Sequence, residues 1–212
     1  CRIEYAKGLT DLARRFKELD YPISLAEAIG SHQPFYLPYQ QCIDKSLQAS
    51  YGEIAVQAMA RRYGVASPRP RKQLSFPIRV GFVSGFFREH SNWLLPIKGW
   101  VSQLDAARYE IYGYHTGDES DEETARASET CFKFVQGPKS LDEWRQLILA
   151  DRLDVLIYPE IGMDRLAGQL ALQRLAPVQC CSWGHPVTSG FGTIDFFLSS
   201  DLMEPAGAQE HY

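Results

Sequence analysis

The sequence predicts an α/β protein: a doubly wound domain on a mostly parallel sheet, entered through a helical segment. Three observations carry this. From Ile78 onward, short apolar runs alternate with helix-length segments, the spacing of βαβ units. Before about residue 65, apolar residues instead recur at intervals of three and four, the period of an amphipathic helix. Between the two lies "ASPRPRKQLSFP", residues 66–77, where prolines mix with Arg69, Arg71 and Lys72 in a composition of linker type. The division this gives is a helical lead-in over 1–70 and an α/β unit over 71–212.

Leu9, Leu12, Phe16 and Leu19 form the first helical stripe. Asp20-Tyr21-Pro22 ends it, since a residue before proline is pushed out of the α region. The stretch "SHQPFYLPYQ" holds prolines and aromatics and reads as an ordered extended link. Leu47, Tyr51, Ile54, Ala55 and Ala58 make a second stripe that runs out near Gly64. No helix pair recurs, so the sequence by itself supports no repeat.

The strand candidates are "IRVGFVS", "YEIYGYH", "CFKFVQ", "DVLIYPE", "PVQCCSW" and "IDFFLSS". Ser140-Leu141-Asp142-Glu143 is a capping box, in which the serine accepts from a first-turn amide and the glutamate reaches back. Trp144, Leu147 and Ile148 give the helix behind it a buried face. Right-handed crossovers place such helices on both sides of the sheet.

Composition narrows the function classes. Of the 212 residues, 45% are hydrophobic, enough for a substantial core. A formal net charge of -4 leaves no basic footprint for nucleic acid. Five cysteines without regular spacing point to a reduced, cytoplasmic protein rather than a disulfide scaffold. No apolar run approaches a membrane span and no leader opens the chain. The start at Cys1 and the stop just after a new segment begins lead to the expectation of a longer protein.

In an open α/β sheet, ligands bind beyond the carboxyl ends of the strands. That rule selects "GFFREHSN", "TGDES", "EIGMDR" and "GHPVTSG". In the first, His90 precedes a helix expected to be capped by Ser91 or Asn92. A helix N-terminus favours a neutral imidazole, so His90 reads as a general base or ligand contact, or else as a solvated or capping residue. In the last, Gly184 permits a tight turn or a close approach to a ligand, and Pro186 stiffens the exit. Thr188, Ser189 and Gly190 offer hydroxyls and bare amides for a sugar or phosphate; the plainer reading is a packed strand-to-helix turn. Glu160 and Asp164 could form an acid/base pair, but Asp164 is more simply an N-cap. "GDESDEE" reads as a solvated loop and helix start.

Other chemistries fail on pattern. Cys180, Cys181 and His185 suggest a metal, yet adjacent strand residues point to opposite faces, so both cysteines belong to the core. Gly81 and Gly85 do not make a GxGxxG, and no GxSxG surrounds Ser84.

"IRVGFVSGFFREHSNW", "LDVLIYPEIGMD", "RLAPVQCCSWGHPVTSG" and "IDFFLSSDLMEP" together resemble, in order, the N-terminal half of the catalytic region of bacterial O-linked GlcNAc transferase/SPINDLY-type proteins. The "IGMD" and "RLAP-Q-GHP-T" elements are also similar to bacterial cytoplasmic N-glucosyltransferases. The resemblance covers roughly residues 75–212; residues 1–70 are more weakly similar to the helical region that joins tetratricopeptide repeats to the catalytic lobes. It implies a Rossmann-like first lobe of a two-lobed GT-B glycosyltransferase, with the nucleotide-binding lobe outside this chain. It further implies transfer of GlcNAc or glucose from a UDP-sugar to a protein or peptide acceptor by inversion, without a metal or resident cofactor. His90 matches a family position considered as catalytic base or acceptor-site residue. Gly184, His185, Pro186 and Thr188 match the loop facing the donor sugar, with Ser189 beside them. A second histidine discussed in eukaryotic members has no counterpart in "QLILADRLD". Two other classes stay open: a non-catalytic interaction scaffold and a sugar-nucleotide epimerase of similar two-lobed build.

Overall fold

The computed structural model describes residues 2–18, 22–31, 37–40, 42–68, 76–185 and 187–212. The readings that rest on Leu19 to Tyr21, on 32–36 of the link 31–40, on 69–75 of the proline-rich boundary and on Pro186 fall outside the described residues.

The lead-in is helical as its periodicity requires: α1 (Arg2–Glu18), α2 (Pro22–Ala28) and α3 (Lys45–Tyr63). Leu9 and Phe16 of α1, and Ile54, Ala55 and Ala58 of α3, are buried. The two stripes face the same core.

From residue 78 the strands are β1 (Ile78–Ser84), β2 (Tyr109–His115), β3 (Lys133–Val135), β4 (Val155–Tyr158), β5 (Val178–Ser182) and β6 (Phe196–Leu198). Each lies inside one of the six apolar runs read from the sequence. All pair in parallel, in the order β3-β2-β1-β4-β5-β6. The chain runs outward from β1 to β3, then returns to the far side of β1 to lay down β4. The topological switch therefore falls between β1 and β4, where ligands of such sheets bind.

Helices cover both faces. On one, α6 (Leu141–Asp151) and α7 (Arg165–Ala171) join the lead-in in a single core that unites Phe16, Ile54 and Met59 with Trp144, Ile148, Leu170 and Leu172. On the other, α4 (Lys98–Gln103) and α5 (Glu122–Thr130) pack over Val80, Phe82, Ile111 and Ile157. Strand alternation sends Cys181 into the first core and Cys180 into the second, so the adjacent thiols lie on opposite faces of the sheet, as their spacing demands.

The caps follow the sequence closely. Ser140 and Glu143 form the expected box on α6. Asp164 caps α7 by accepting from the Ala167 amide at 2.8 Å. In the acidic run, Asp121 caps α5 and pairs with Thr124 in a second box. Among the described residues, no helix is long and apolar enough to cross a membrane.

Candidate functional site

At the carboxyl rim, the loops after β1, β2, β4 and β5 converge on residues 159–164. The Gly85 amide donates to Glu160 Oε1 at 3.1 Å, which joins the ends of β1 and β4 across the switch point. The Thr116 hydroxyl, at the end of β2, donates to Asp164 Oδ2 at 2.6 Å. The amide nitrogen of the Asn92 side chain lies 3.3 Å from Met163 Sδ. From β5, Gly184 packs so closely that a Cβ there would overlap the Pro159 carbonyl oxygen and sit 3.2 Å from Glu160 Cβ. The bare Cα of Gly184 thus serves an approach between two loops of this chain.

His90 ends a run of tight turns. The Phe86 amide donates to Ser84 Oγ, the Arg88 amide to the Phe86 carbonyl, and the His90 amide to the Arg88 carbonyl. Its imidazole stacks on Phe86 with ring centroids 4.2 Å apart. Nδ1 accepts from the Asn92 amide at 3.2 Å, and the His90 carbonyl accepts from the Leu94 amide. His90 is therefore itself the cap of the helical turn that follows, in place of Ser91 or Asn92; Asn92 makes no side-chain cap bond. That turn is a wide one over Trp93–Ile97, containing Pro96, and it leads directly into α4. Partial burial, helped by the Arg88 charge, holds the His90 pKa below its ordinary value. With Nδ1 engaged as an acceptor, the proton of the neutral ring resides on Nε2.

The neighbouring loop is pinned to this one. Asp121 Oδ2 accepts from the Glu89 amide at 2.7 Å, while Oδ1 accepts from Glu123 and Thr124. The Glu89 amide, with the other amide donors, holds the Asp121 carboxyl below the usual range. Its contribution to stability is present above the unfolded carboxylate pKa and is lost on acidification. Asp121→Ala should lower the melting temperature by a few degrees at neutral pH and by less near pH 3. Thermal denaturation at both pH values checks this, and an equal loss at both would remove the charge from the explanation.

Glu160 is fully buried. Desolvation, reinforced by the Asp164 carboxylate, pushes its pKa up to about 8, against the opposing pull of the Ser84 hydroxyl and Gly85 amide. Its Oε2 has no hydrogen-bond partner among the described residues. Its position in "YPEIGMD" gave no sign of this burial.

Of the remaining sequence-derived residues, His185 is buried at 6% exposure. Thr188 Oγ1 accepts from the Gly190 amide and Ser189 Oγ from the Phe191 amide, so both hydroxyls shape their own turn. Thr188 and Ser189 line a cavity of about 390 Å³ together with Lys45, Ala49, Phe191 and Tyr212. The end of this loop thus meets the helical lead-in, while its start, at Gly184, meets Glu160. The Trp100 and Trp183 rings, 5.4 Å apart and edge to face, tie the end of β5 to α4.

No protein-family model matches the chain. It is 25% identical over 146 residues to an Arabidopsis thaliana protein described as a probable UDP-N-acetylglucosamine–peptide N-acetylglucosaminyltransferase SPINDLY, a match that takes in 63% of this chain and 15% of the plant protein. Among solved structures, a point mutant of the Thermobaculum terrenum O-GlcNAc transferase superposes on 98% of this chain and on 39% of its own, with a TM-score of 0.66 and 23% identity. The chain thus spans well under half the length of either protein. The six-stranded parallel sheet with its flanking helices is the GT-B-like α/β fold of that transferase, and the sequence match agrees with it. By sequence and fold together, the chain is related to the O-GlcNAc transferase/SPINDLY type of glycosyltransferase.

Proposed function

We propose that this chain forms the first lobe of an inverting glycosyltransferase that moves a sugar from a UDP-sugar to a protein side chain. The observation that carries the reading is the rim at the β1/β4 switch. There a neutral histidine is held by its own cap and by an aromatic stack, beside loops from three further strands. In a single displacement, the acceptor oxygen or nitrogen bonds to the anomeric carbon as the bond from that carbon to the diphosphate oxygen breaks. The acceptor proton passes to a base, and hydrogen-bond donors stabilise the charge that develops on UDP. A second lobe would supply most nucleotide contacts, and no metal enters the scheme.

The cap on Nδ1 selects between the roles open to His90. A base acting through Nε2 needs the proton on Nδ1, where the Asn92 amide already donates. His90 is accordingly assigned as an Nε2–H donor to a substrate oxygen, with the acceptor proton removed elsewhere. Glutamine places an N–H close to the Nε2 position, whereas asparagine can replace only Nδ1. In the protein as its gene encodes it, His90→Gln should therefore keep transfer within about tenfold of the native rate. His90→Asn should lose on the order of a hundredfold, with UDP binding by calorimetry unchanged in both. Equal loss in the two variants would restore the base; native turnover in both would remove His90 from the reaction.

A further inference from the structure

We propose that Glu160 is a positioning residue: it fixes the loop that carries His90 against the loop that carries His185, without itself touching substrate. This rests on, and deepens, the transferase reading above. Both ends of the His90 loop are tied to one short segment. At its start, the Gly85 amide donates to Glu160 Oε1; at its finish, Asn92 reaches Met163, three residues further along the same turn. Between these points the backbone has little slack. Ser84 Oγ and the Phe86 and Arg88 carbonyls take the amides of Phe86, Arg88 and His90, Phe86 stacks on His90, and Asn92 caps onto its Nδ1. A shift at Gly85 is thus passed through Phe86 to the imidazole.

The same side chain bounds the other loop. Gly184 sits against Pro159 and Glu160, so the backbone that presents His185 rests on the residue that orients His90. Asp164 closes the remaining side: a Cβ on Gly85 would lie 3.1 Å from Asp164 Cγ. Asp164 is itself held by Thr116 and by its cap to Ala167. A fully buried carboxyl with one orphaned oxygen is a costly way to hold the Gly85 amide and the Ser84 hydroxyl. Its position where β1 and β4 diverge gives that cost a function. Small displacements there are expensive for transfer, because reacting groups tolerate errors well below 1 Å.

The test follows the His90 ring and the kinetics together. Long-range proton–nitrogen NMR reads the imidazole tautomer in the native protein, in Glu160→Ala and in Glu160→Gln. Glu160→Ala should move the ring nitrogens away from the Nε2–H pattern. It should also lower kcat by about ten- to a hundredfold with KM within about twofold. Glu160→Gln, which retains the acceptor for Gly85, should restore both. If Glu160→Ala does not fold, Glu160→Leu, which fills the space and lacks the acceptor, takes its place. Unchanged ring signals and kcat in a folded Glu160→Ala or Glu160→Leu would overturn the assignment, as would a Glu160→Gln no better than Glu160→Ala. A native protein that transfers no sugar, but whose imidazole still responds to Glu160→Ala, would overturn the transferase reading and support the positioning role on its own.

Discussion

Replacing Gly190 with alanine is expected to destabilise the protein by several kcal/mol and to loosen the lead-in helices from the sheet. Two costs act at this position. Gly190 has φ +68, a left-handed conformation that costs an L-residue about 1–2 kcal/mol. A Cβ would also fall on the Gln48 carbonyl carbon and the Ala49 amide nitrogen of α3, which are backbone atoms that no rotamer change can move. The fit is reciprocal, because a Cβ on Gly52 would strike the Gly190 carbonyl. For a chain of this length each kcal/mol lowers the melting temperature by about 2–4 °C, so a fall on the order of 10 °C is expected. Gly52→Ala should act similarly. The double variant should lose less than the sum, since the first substitution already breaks the shared contact. Gly192→Ala is the control: among the described residues nothing lies within 4 Å of its Cβ, and its melting temperature should hold or rise slightly. Limited proteolysis should cut between α3 and β1 faster in Gly190→Ala than in Gly192→Ala. Matching melting curves for those two variants would show that α3 does not depend on this contact.

That contact also shows where sequence reading stops. Each of the six strands lies within an apolar run because a parallel sheet covered on both faces needs short continuous hydrophobic stretches, and such runs stand out without partners. Ser140 and Asp164 were legible as caps because a cap is decided within four residues. The separation of Cys180 from Cys181 followed from strand alternation alone. What could not be read were relations between distant segments. Nothing in "HPVTSG" says that Ser189 and Gly190 turn toward α3, since Gln48 lies more than a hundred residues earlier in the chain. His90 was legible as a polar residue ahead of a helix, but its Nδ1 bond depends on a loop whose course is set by Glu160 and Asp121. Glu160 was legible only as one carboxylate of a possible acid/base pair with Asp164 at a strand end, with nothing local to mark it as buried. Only the strand order, which lays β4 beside β1, places it between two loops and out of water.

Burial at Glu160 should impose an alkaline limit on stability that Glu160→Gln removes. The folded pKa, about 8, stands above the ordinary value of 4.5. The native state therefore holds a proton that the unfolded chain releases over that interval. Stability from this group is complete below about pH 4.5, falls by about 1.4 kcal/mol per pH unit as pH rises, and levels off above pH 8. Desolvation of the carboxylate sets the direction, the Asp164 charge adds to it, and the Ser84 and Gly85 hydrogen bonds only partly offset it. Integrated over the interval, the loss is on the order of 5 kcal/mol. His90, whose pKa is lowered, titrates with the opposite sign and weakens the fold as pH falls, but it does so in both proteins and cancels in their difference. Glutamine accepts the Gly85 amide and does not ionise. It leaves buried amide hydrogens unpaired, so Glu160→Gln should begin less stable at pH 5. Urea midpoints measured from pH 5 to pH 9 should therefore converge and then cross, with the native protein declining and the variant nearly flat. Parallel curves would mean that Glu160 titrates as an exposed carboxylate does, and that the rim opens to water in solution.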